Sequence, residues 1–380
     1  MDFELDQDRR ILRDSVRDFC AREIIPHTRK WDADERFPHE IVPRLAAMGL
    51  WGLRVPEAYG GAGMSMLDTV VVLEELARAD GSVALSVASH NSLCTGHILL
   101  AGSEAQKRKY LPQLASGKVL GAWGLTEPGS GSDAGAARSS AVRRGERWVL
   151  NGTKTFITQG SVGGVAVVLA STTPQKRQKG LTAFILERGM PGFRTGKHIE
   201  KMGVRASDTT ELILEDCEVG DEQRLGAVDG GFFDTLKILD KGRIGIATMA
   251  LGLGRGALEE SIRYAKERKQ FGQPIAQFQA IQIMLANMAT ELDAARLLCW
   301  RAAWLEDRKL PHTRESSVAK LYAAQVGSRV CNLAIQIHGG YGYTREFPVE
   351  RYFRDTRLCE IGEGTNEVQR MIIARALGRL

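Results

Sequence analysis

Trp148-Val149-Leu150-Asn151-Gly152-Thr153-Lys154-Thr155-Phe156-Ile157-Thr158 breaks the helical period that governs both ends of the chain. Branched and aromatic residues dominate this stretch, and apolar side chains stop recurring every three to four positions. Asn151-Gly152 between two such runs predicts a tight hairpin, because both residues tolerate the positive φ of a type I′ turn. Residues 165–169, 182–186 and 211–217 repeat the strand-like composition, with glycine, serine and charged residues between them. Lys176-Arg177-Gln178-Lys179 reads as a solvated loop. The middle of the chain is therefore expected to form a sheet.

On both sides the period returns to 3.6. Leu5, Leu12, Val16 and Phe19 fall on one helical face, and Pro38 opens a helix through Ile41, Leu45 and Met48. Residues 67–79 and 83–100 continue the pattern. Ser103 with Gln106 forms a capping box before the next helix. From about Gly230, residues 232–268 read as one long helix, followed by 277–305 and 313–337, the last stopped by Gly339-Gly340. Antiparallel packing of these helices into a bundle is expected. The order helices, sheet, helices is not the alternation of a doubly wound fold. It removes a decoy: Gly252-Leu253-Gly254-Arg255-Gly256-Ala257 fits a dinucleotide fingerprint, but a helix precedes it where that motif needs a strand. Its small residues instead suit close helix packing.

The chain has 380 residues, 43% hydrophobic and 26% charged, with a formal net charge of +5. That length supports two or three packed units. Basic residues are interleaved with acidic ones, which disfavours nucleic-acid binding. Six cysteines lie far apart with no C-x-x-C pair, and the seven histidines show no metal spacing. Free thiols in a reducing compartment and no metal are expected, hence a cytoplasmic location, a mature mitochondrial matrix form being the alternative. No nucleophile elbow and no membrane-spanning run is present, and Met1-Asp2-Phe3-Glu4-Leu5-Asp6 lacks the apolar segment of a secretory signal.

Two short segments carry chemistry. In Gly362-Glu363-Gly364-Thr365 the two glycines flank a carboxylate and let another molecule approach the backbone closely. Asn366, with Gln369 three residues on, predicts a helix N-terminus just after it. A carboxylate on such a bare turn suits general-base work. Leu125-Thr126-Glu127-Pro128-Gly129-Ser130-Gly131-Ser132-Asp133 offers backbone N–H groups and hydroxyls for a polar ring edge or a diphosphate.

With that loop, the chain resembles the acyl-CoA dehydrogenase family, and is most similar to its short-chain, butyryl-CoA branch. The resemblance extends over nearly the whole chain through Asn151 to Thr158, Glu267-Arg268-Lys269-Gln270-Phe271-Gly272, Gln336-Ile337-His338-Gly339-Gly340 and the Glu363 turn. It implies an α+β, mainly α fold: an N-terminal helical domain (1–119), a middle β-domain (120–228) and a C-terminal four-helix bundle (229–380). It implies non-covalent FAD. Trp123, Leu125, Thr126, Gly131 and Ser132 would line the flavin, and Phe156, Ile157 and Thr158 would border its ring. The family more often has tryptophan at Phe156, so an aromatic wall is kept while an indole N–H is lost. Arg268, Gln279, Gln336, Ile337, His338, Gly339 and Gly340 would hold the ADP half, largely from a neighbouring subunit. Thr365, Asn366 and Glu367 would add contacts at a helix N-terminus. Ser132, Asp240, Lys241, Gly242, Arg243 and Gly364 match substrate-contacting positions.

The implied reaction is α,β-dehydrogenation of an acyl-CoA thioester to the trans-2-enoyl-CoA, as in fatty acid β-oxidation. Glu363 would take the α-proton, and the β-hydrogen would leave as hydride to flavin N5. The thioester oxygen would be held by the backbone N–H of Glu363 and a ribityl hydroxyl. One branch of the family carries its base on the long C-terminal helix instead. The matching position here is Gly242, so only one base position is filled. The resemblance also implies a homotetramer and an electron-transfer flavoprotein as electron acceptor. Two other readings stand beside it: an oxidase of the same fold using O2, and a non-catalytic flavin-fold binding or stress-response protein.

Overall fold

The computed structural model describes residues 4–378. Met1–Phe3, within the start read as carrying no secretory signal, and residues 379–380, at the end of the third region, lie outside the described residues.

The chain begins with α1 (Gln7–Phe19), α2 (Thr28–Asp34), α3 (Val42–Ala47), α4 (Met66–Ala79), α5 (Gly81–Ser89), α6 (Gly96–Ala101) and α7 (Glu104–Ala115). A π-helical stretch, His90–Thr95, joins α5 to α6, so the expected 83–100 helix is continuous but locally widened. Ser103 and Gln106 form the expected capping box on α7.

The middle region contains β1 (Gly121–Gly124), β2 (Ser140–Arg144), β3 (Arg147–Thr158), β4 (Val165–Ser171), β5 (Leu181–Glu187), β6 (Phe193–His198), β7 (Thr209–Gly220) and β8 (Arg224–Leu225). They form one sheet in the order β6-β7-β3-β2-β4-β5-β8, with β1 paired parallel to β4. Every residue of β4 is buried. Val165, Val167 and Leu169 face the helical region through Trp123, Leu125 and Ile238. Ala166, Val168 and Ala170 face the sheet's own core with Trp148, Phe184 and Leu212. Burial on both faces explains why this strand reads as an unbroken apolar run.

The hairpin expected at Asn151-Gly152 is not formed. β3 runs through both residues, and the tight turn falls at Gly145-Glu146 between β2 and β3. The Asn-Gly pair marks a bulge instead: the register with β7 shifts between Leu150 and Gly152. The Asn151 side chain exchanges hydrogen bonds with Asp216 at 3.0 and 2.8 Å. A side chain at Gly152 would collide with Ser139.

The last region consists of α8 (Gly231–Glu267), α9 (Gln279–Asp307), α10 (Thr313–His338), α11 (Val349–Cys359) and α12 (Asn366–Ala376). The Gly252–Ala257 decoy lies inside α8. A Cβ on Gly252 would sit 2.7 Å from that of Ala77, and one on Gly256 2.8 Å from the Tyr352 ring. The small residues let α8 pack closely on α4 and α11. One apolar core joins α4 and α5 to α8, α9 and α10. Inside it Glu75 is fully buried between Arg17, Arg78 and Arg255, while Glu74 receives Arg255 and Arg296. These pairs tie the first region to the third.

Candidate active site

The turn between α11 and α12 holds Glu363 in a left-handed backbone conformation, φ +52°, with Gly364 at φ +97°. A non-glycine residue held there marks local strain of the kind that functional sites retain. Thr365, not the expected Asn366, caps α12: its hydroxyl accepts from the Val368 N–H at 3.3 Å. Gln369 does not close a capping box either. Its amide reaches back to the carbonyl of Gly364 at 2.9 Å and steadies the strained turn.

Glu363 Oε2 is buried without a hydrogen-bond partner. Burial pushes the carboxyl up to about 7, opposed by the positive charges of Arg243 and Lys320. A carboxylate poised near neutrality with a free oxygen is equipped to take a proton. Gly242 on α8 faces it: a Cβ there would lie 2.7 Å from Glu363 Cδ. The two positions occupy the same space, so a side chain at 242 and the present placement of Glu363 exclude each other.

Asp240, Lys241 and Arg243 flank Gly242 in different states. Arg243 is buried and paired with Asp240, whose other oxygen accepts from Thr313 at 2.5 Å. Burial holds the Arg243 guanidinium below its usual range. Lys241 is paired with Glu306 at 2.9 Å.

The glycine-rich loop is pinned from beneath. Lys154 on β3 is fully buried and bonds Glu127 at 2.6 Å and the Leu125 carbonyl at 3.2 Å. Glu127 also accepts from the N–H groups of Arg138 and Ser139 at 2.6 and 2.9 Å. The Thr155 N–H donates to the Thr126 carbonyl at 2.9 Å, which sets the loop beside β3. On this frame Trp123, Leu125 and Ile157 are buried, Thr126 and Thr158 half-buried, and Gly131, Ser132 and Phe156 exposed. Phe156 stands at φ +58° with 65% of its surface in solvent. An exposed aromatic wall, two half-buried hydroxyls without a protein partner among the described residues, and open backbone at Gly129 and Gly131 suit a flat polar ring. The residues present therefore fit a flavin.

A second group of expected cofactor residues starts at the C-terminal end of α8. Arg268 lies 5.4 Å over the Tyr341 ring, just after the Gln336–Gly340 segment. Arg268, Gln279, Gln336, Gly339 and Gly340 are exposed, but Ile337 and His338 are buried. His338 stacks on Tyr264 at 4.2 Å, so its ring is part of the core. Glu367 is exposed beside Arg370. A cleft of about 520 Å³ between α1, α4, α8 and α9 contains none of the expected site residues and is lined by the Glu74–Glu75–arginine ion pairs.

Three family models cover the chain: acyl-CoA dehydrogenase N-terminal domain at residues 6–118, middle domain at 122–217 and C-terminal domain at 229–378. The chain belongs to the acyl-CoA dehydrogenase family. It is 44% identical over 379 residues to a short-chain specific acyl-CoA dehydrogenase of Clostridium acetobutylicum, covering 100% of both chains. It is also 44% identical to the caffeyl-CoA reductase–Etf complex subunit CarC of Acetobacterium woodii, covering 97% of each. Among solved structures, butyryl-CoA dehydrogenase from Megasphaera elsdenii superposes with a TM-score of 0.97 at 40% identity, covering 99% of this chain and 100% of that one. The helical, β and helical layers of the acyl-CoA dehydrogenase fold are thus present.

Three further residues of the candidate site were not singled out by the sequence. Lys154 and Glu127 hold the loop, and Lys320 is buried on α10 near Glu363. The signal for Lys320 was available: it falls on the buried stripe that includes Ser316, Ala323 and Gly327.

Proposed function

We infer that the chain is an FAD-dependent dehydrogenase of short acyl-CoA thioesters, with Glu363 as the base that removes the α-proton. The observation that carries this is the buried, partner-free Oε2 of Glu363, pushed to about 7 and packed against a glycine that leaves room for it. Glu363 takes the α-proton onto that oxygen. Its strained turn presents the backbone N–H to the thioester oxygen as negative charge develops there. Thr126, Ser132 and Thr158 orient the cofactor and substrate edges, and Phe156 walls the flavin. FAD, when bound, supplies the hydride acceptor.

A short, uncharged acyl group is supported by the names of the relatives. By the resemblance, members that oxidise glutaryl-CoA place an arginine near the position that Val83 matches. Here it is buried in apolar core, so no cation stands there for a distal carboxylate. The reductase–Etf relative supports an electron-transfer flavoprotein as partner. Six free, buried cysteines support a reducing, cytoplasmic setting, and no helix among the described residues is long and apolar enough to cross a membrane. The domain limits 1–119, 120–228 and 229–380 follow the changes of period.

The test is anaerobic mixing of the flavin-loaded protein with C4 to C16, isobutyryl, 2-methylbutyryl and glutaryl thioesters, read as bleaching of flavin absorbance. A maximum near C4 with a graded decline is expected, since one methylene discriminates by only about 1–3 kcal/mol. Glu363→Gln should slow bleaching by at least about 10²–10⁴-fold while still binding flavin and substrate. Near-normal bleaching by that variant overturns the base. A maximum at C12 or longer, or for glutaryl-CoA, overturns the substrate class. Stoichiometric peroxide in air would identify an oxidase instead.

A further inference from the structure

Lys320 is fully buried on α10, and its ammonium makes one hydrogen bond, to Oδ1 of Asn366 at 3.3 Å. Asn366 in turn closes the turn that carries the base. Its N–H donates to the Glu360 carbonyl at 3.0 Å, and its amide Nδ2 faces Glu360 Oε2 at 3.4 Å. Glu363 lies midway between these two residues. A second tether runs from the same helix, where the Ser328 hydroxyl bonds the Glu360 carboxylate. The turn is thus held to α10 at two points, and one of them is a cation.

A buried ammonium with one acceptor is costly, and an apolar side chain of similar length would fill the space without that cost. Packing alone does not explain it. The groups facing Lys320 are the Cys359 thiol and the Glu360 carboxylate at the end of α11, Glu363 on the turn, Asn366 on α12 and Arg243 on α8. Glu360 is paired with Arg357 at 2.7 Å, and burial raises the Cys359 thiol to about 12, which leaves it neutral. Arg243 is shared with Asp240. Glu363 is left as the anion without a partner of its own.

We propose that Lys320 is a positioning residue for the reaction, fixing the Glu363 turn through Asn366 and supplying the positive field that favours the carboxylate form of the base. The proposal rests on Glu363 being that base. Burial lowers Lys320 to about 8, so it carries its charge at neutral pH. Removing the charge makes Glu363 harder to ionise, so the rising acid limb of the rate moves to higher pH.

Two neutral variants separate the tether from the charge. Lys320→Gln keeps a donor for Asn366, whereas Lys320→Met removes donor and charge together. The measurement is the anaerobic rate of flavin reduction by saturating butyryl-CoA between pH 5.5 and 9. In Lys320→Gln the acid limb should rise by about one pH unit or more with the high-pH plateau kept. That shift makes the rate about tenfold lower on the limb. Lys320→Met should show the same shift with a lower plateau, and Lys320→Arg should return the limb toward its original position. A flavin-bearing Gln or Met variant whose limb coincides with the parent's overturns the proposal. Glu363→Gln in the same assay keeps the two ideas apart: if it is slow while the Lys320 variants keep the parental limb, only the role of Lys320 fails.

Discussion

A carboxyl group that ionises less readily in the folded chain than in the unfolded one binds its proton more tightly when folded. Glu363 is such a group, at about 7 against an ordinary value of 4.5, with burial as the main cause. Between those two values the folded state holds more protons than the unfolded state, so this residue makes folding less favourable as pH rises through the interval. Above pH 7 the full penalty is present, and there the carboxylate is ready to act. The ionised form, the one proposed to act as the base, is therefore the destabilised one. Glu363→Gln should raise the melting temperature at pH 8 on the order of a few °C, and by less at pH 5. Thermal unfolding of parent and variant at the two pH values checks this. Equal shifts at both would mean that the carboxylate is not buried as described. Asp355, also pushed to about 7 by burial, is common to both proteins and cancels in the comparison.

Elements bring Glu363 to its place by close approach. α8 can pass the α11–α12 turn only because position 242 has no side chain. Gly242→Ala should push the carboxylate aside without touching the flavin loop. Misplacement of about 1 Å costs on the order of 10²-fold in rate. The expected outcome is normal flavin content with bleaching by butyryl-CoA slowed about that much, and full activity would count against the placement of Glu363. The same elements show what a sequence can tell. α4, α8, α9 and α10 were legible because their apolar residues recur with helical spacing. α11 was not: Arg351 and Asp355 are charged yet buried, Arg351 on the Ala79 carbonyl at 3.0 Å and Asp355 on the Val204 N–H at 2.5 Å. Charged side chains buried on backbone partners inside a core erase the period that reveals a helix. β1 escaped because it is four residues with a glycine at each end, and Asn151-Gly152 misled because a bulge and a hairpin want the same two residues. Glu363 was readable from its glycines, and the burial of Lys320 from the stripe it shares on α10, but the contact of Lys320 with Asn366 on α12 was not.

At the scale of the whole molecule, the expected substrate and cofactor contacts fall at two separated points along one helix, Gly242 in the first third of α8 and Arg268 at its C-cap. Gly242 and Arg268 are 26 positions apart, about 39 Å at 1.5 Å per residue. Phe271 and Tyr343 stand 93% and 90% exposed beside the Arg268 end. Aromatic side chains so exposed next to a cluster of expected binding residues suit burial against a second copy of the chain, which would bring the two groups of expected contacts together across a boundary. Sedimentation of the flavin-loaded protein should show an oligomer, with a tetramer expected. Phe271→Asp should lower both its size and its flavin content together. A fully flavin-loaded monomer would contradict the arrangement.

The unbroken run of α8 also limits how this chain can change over generations. Surface turns such as Lys176–Lys179 can gain or lose residues with little effect. One residue inserted between Gly242 and Arg268 would turn the far end of the helix by about 100° and advance it by about 1.5 Å. The guanidinium would then leave Tyr341, and every buried residue beyond the insertion would face the wrong way. Drift in length is open to the loops and closed to this helix, whose residue count is inherited as a fixed measure.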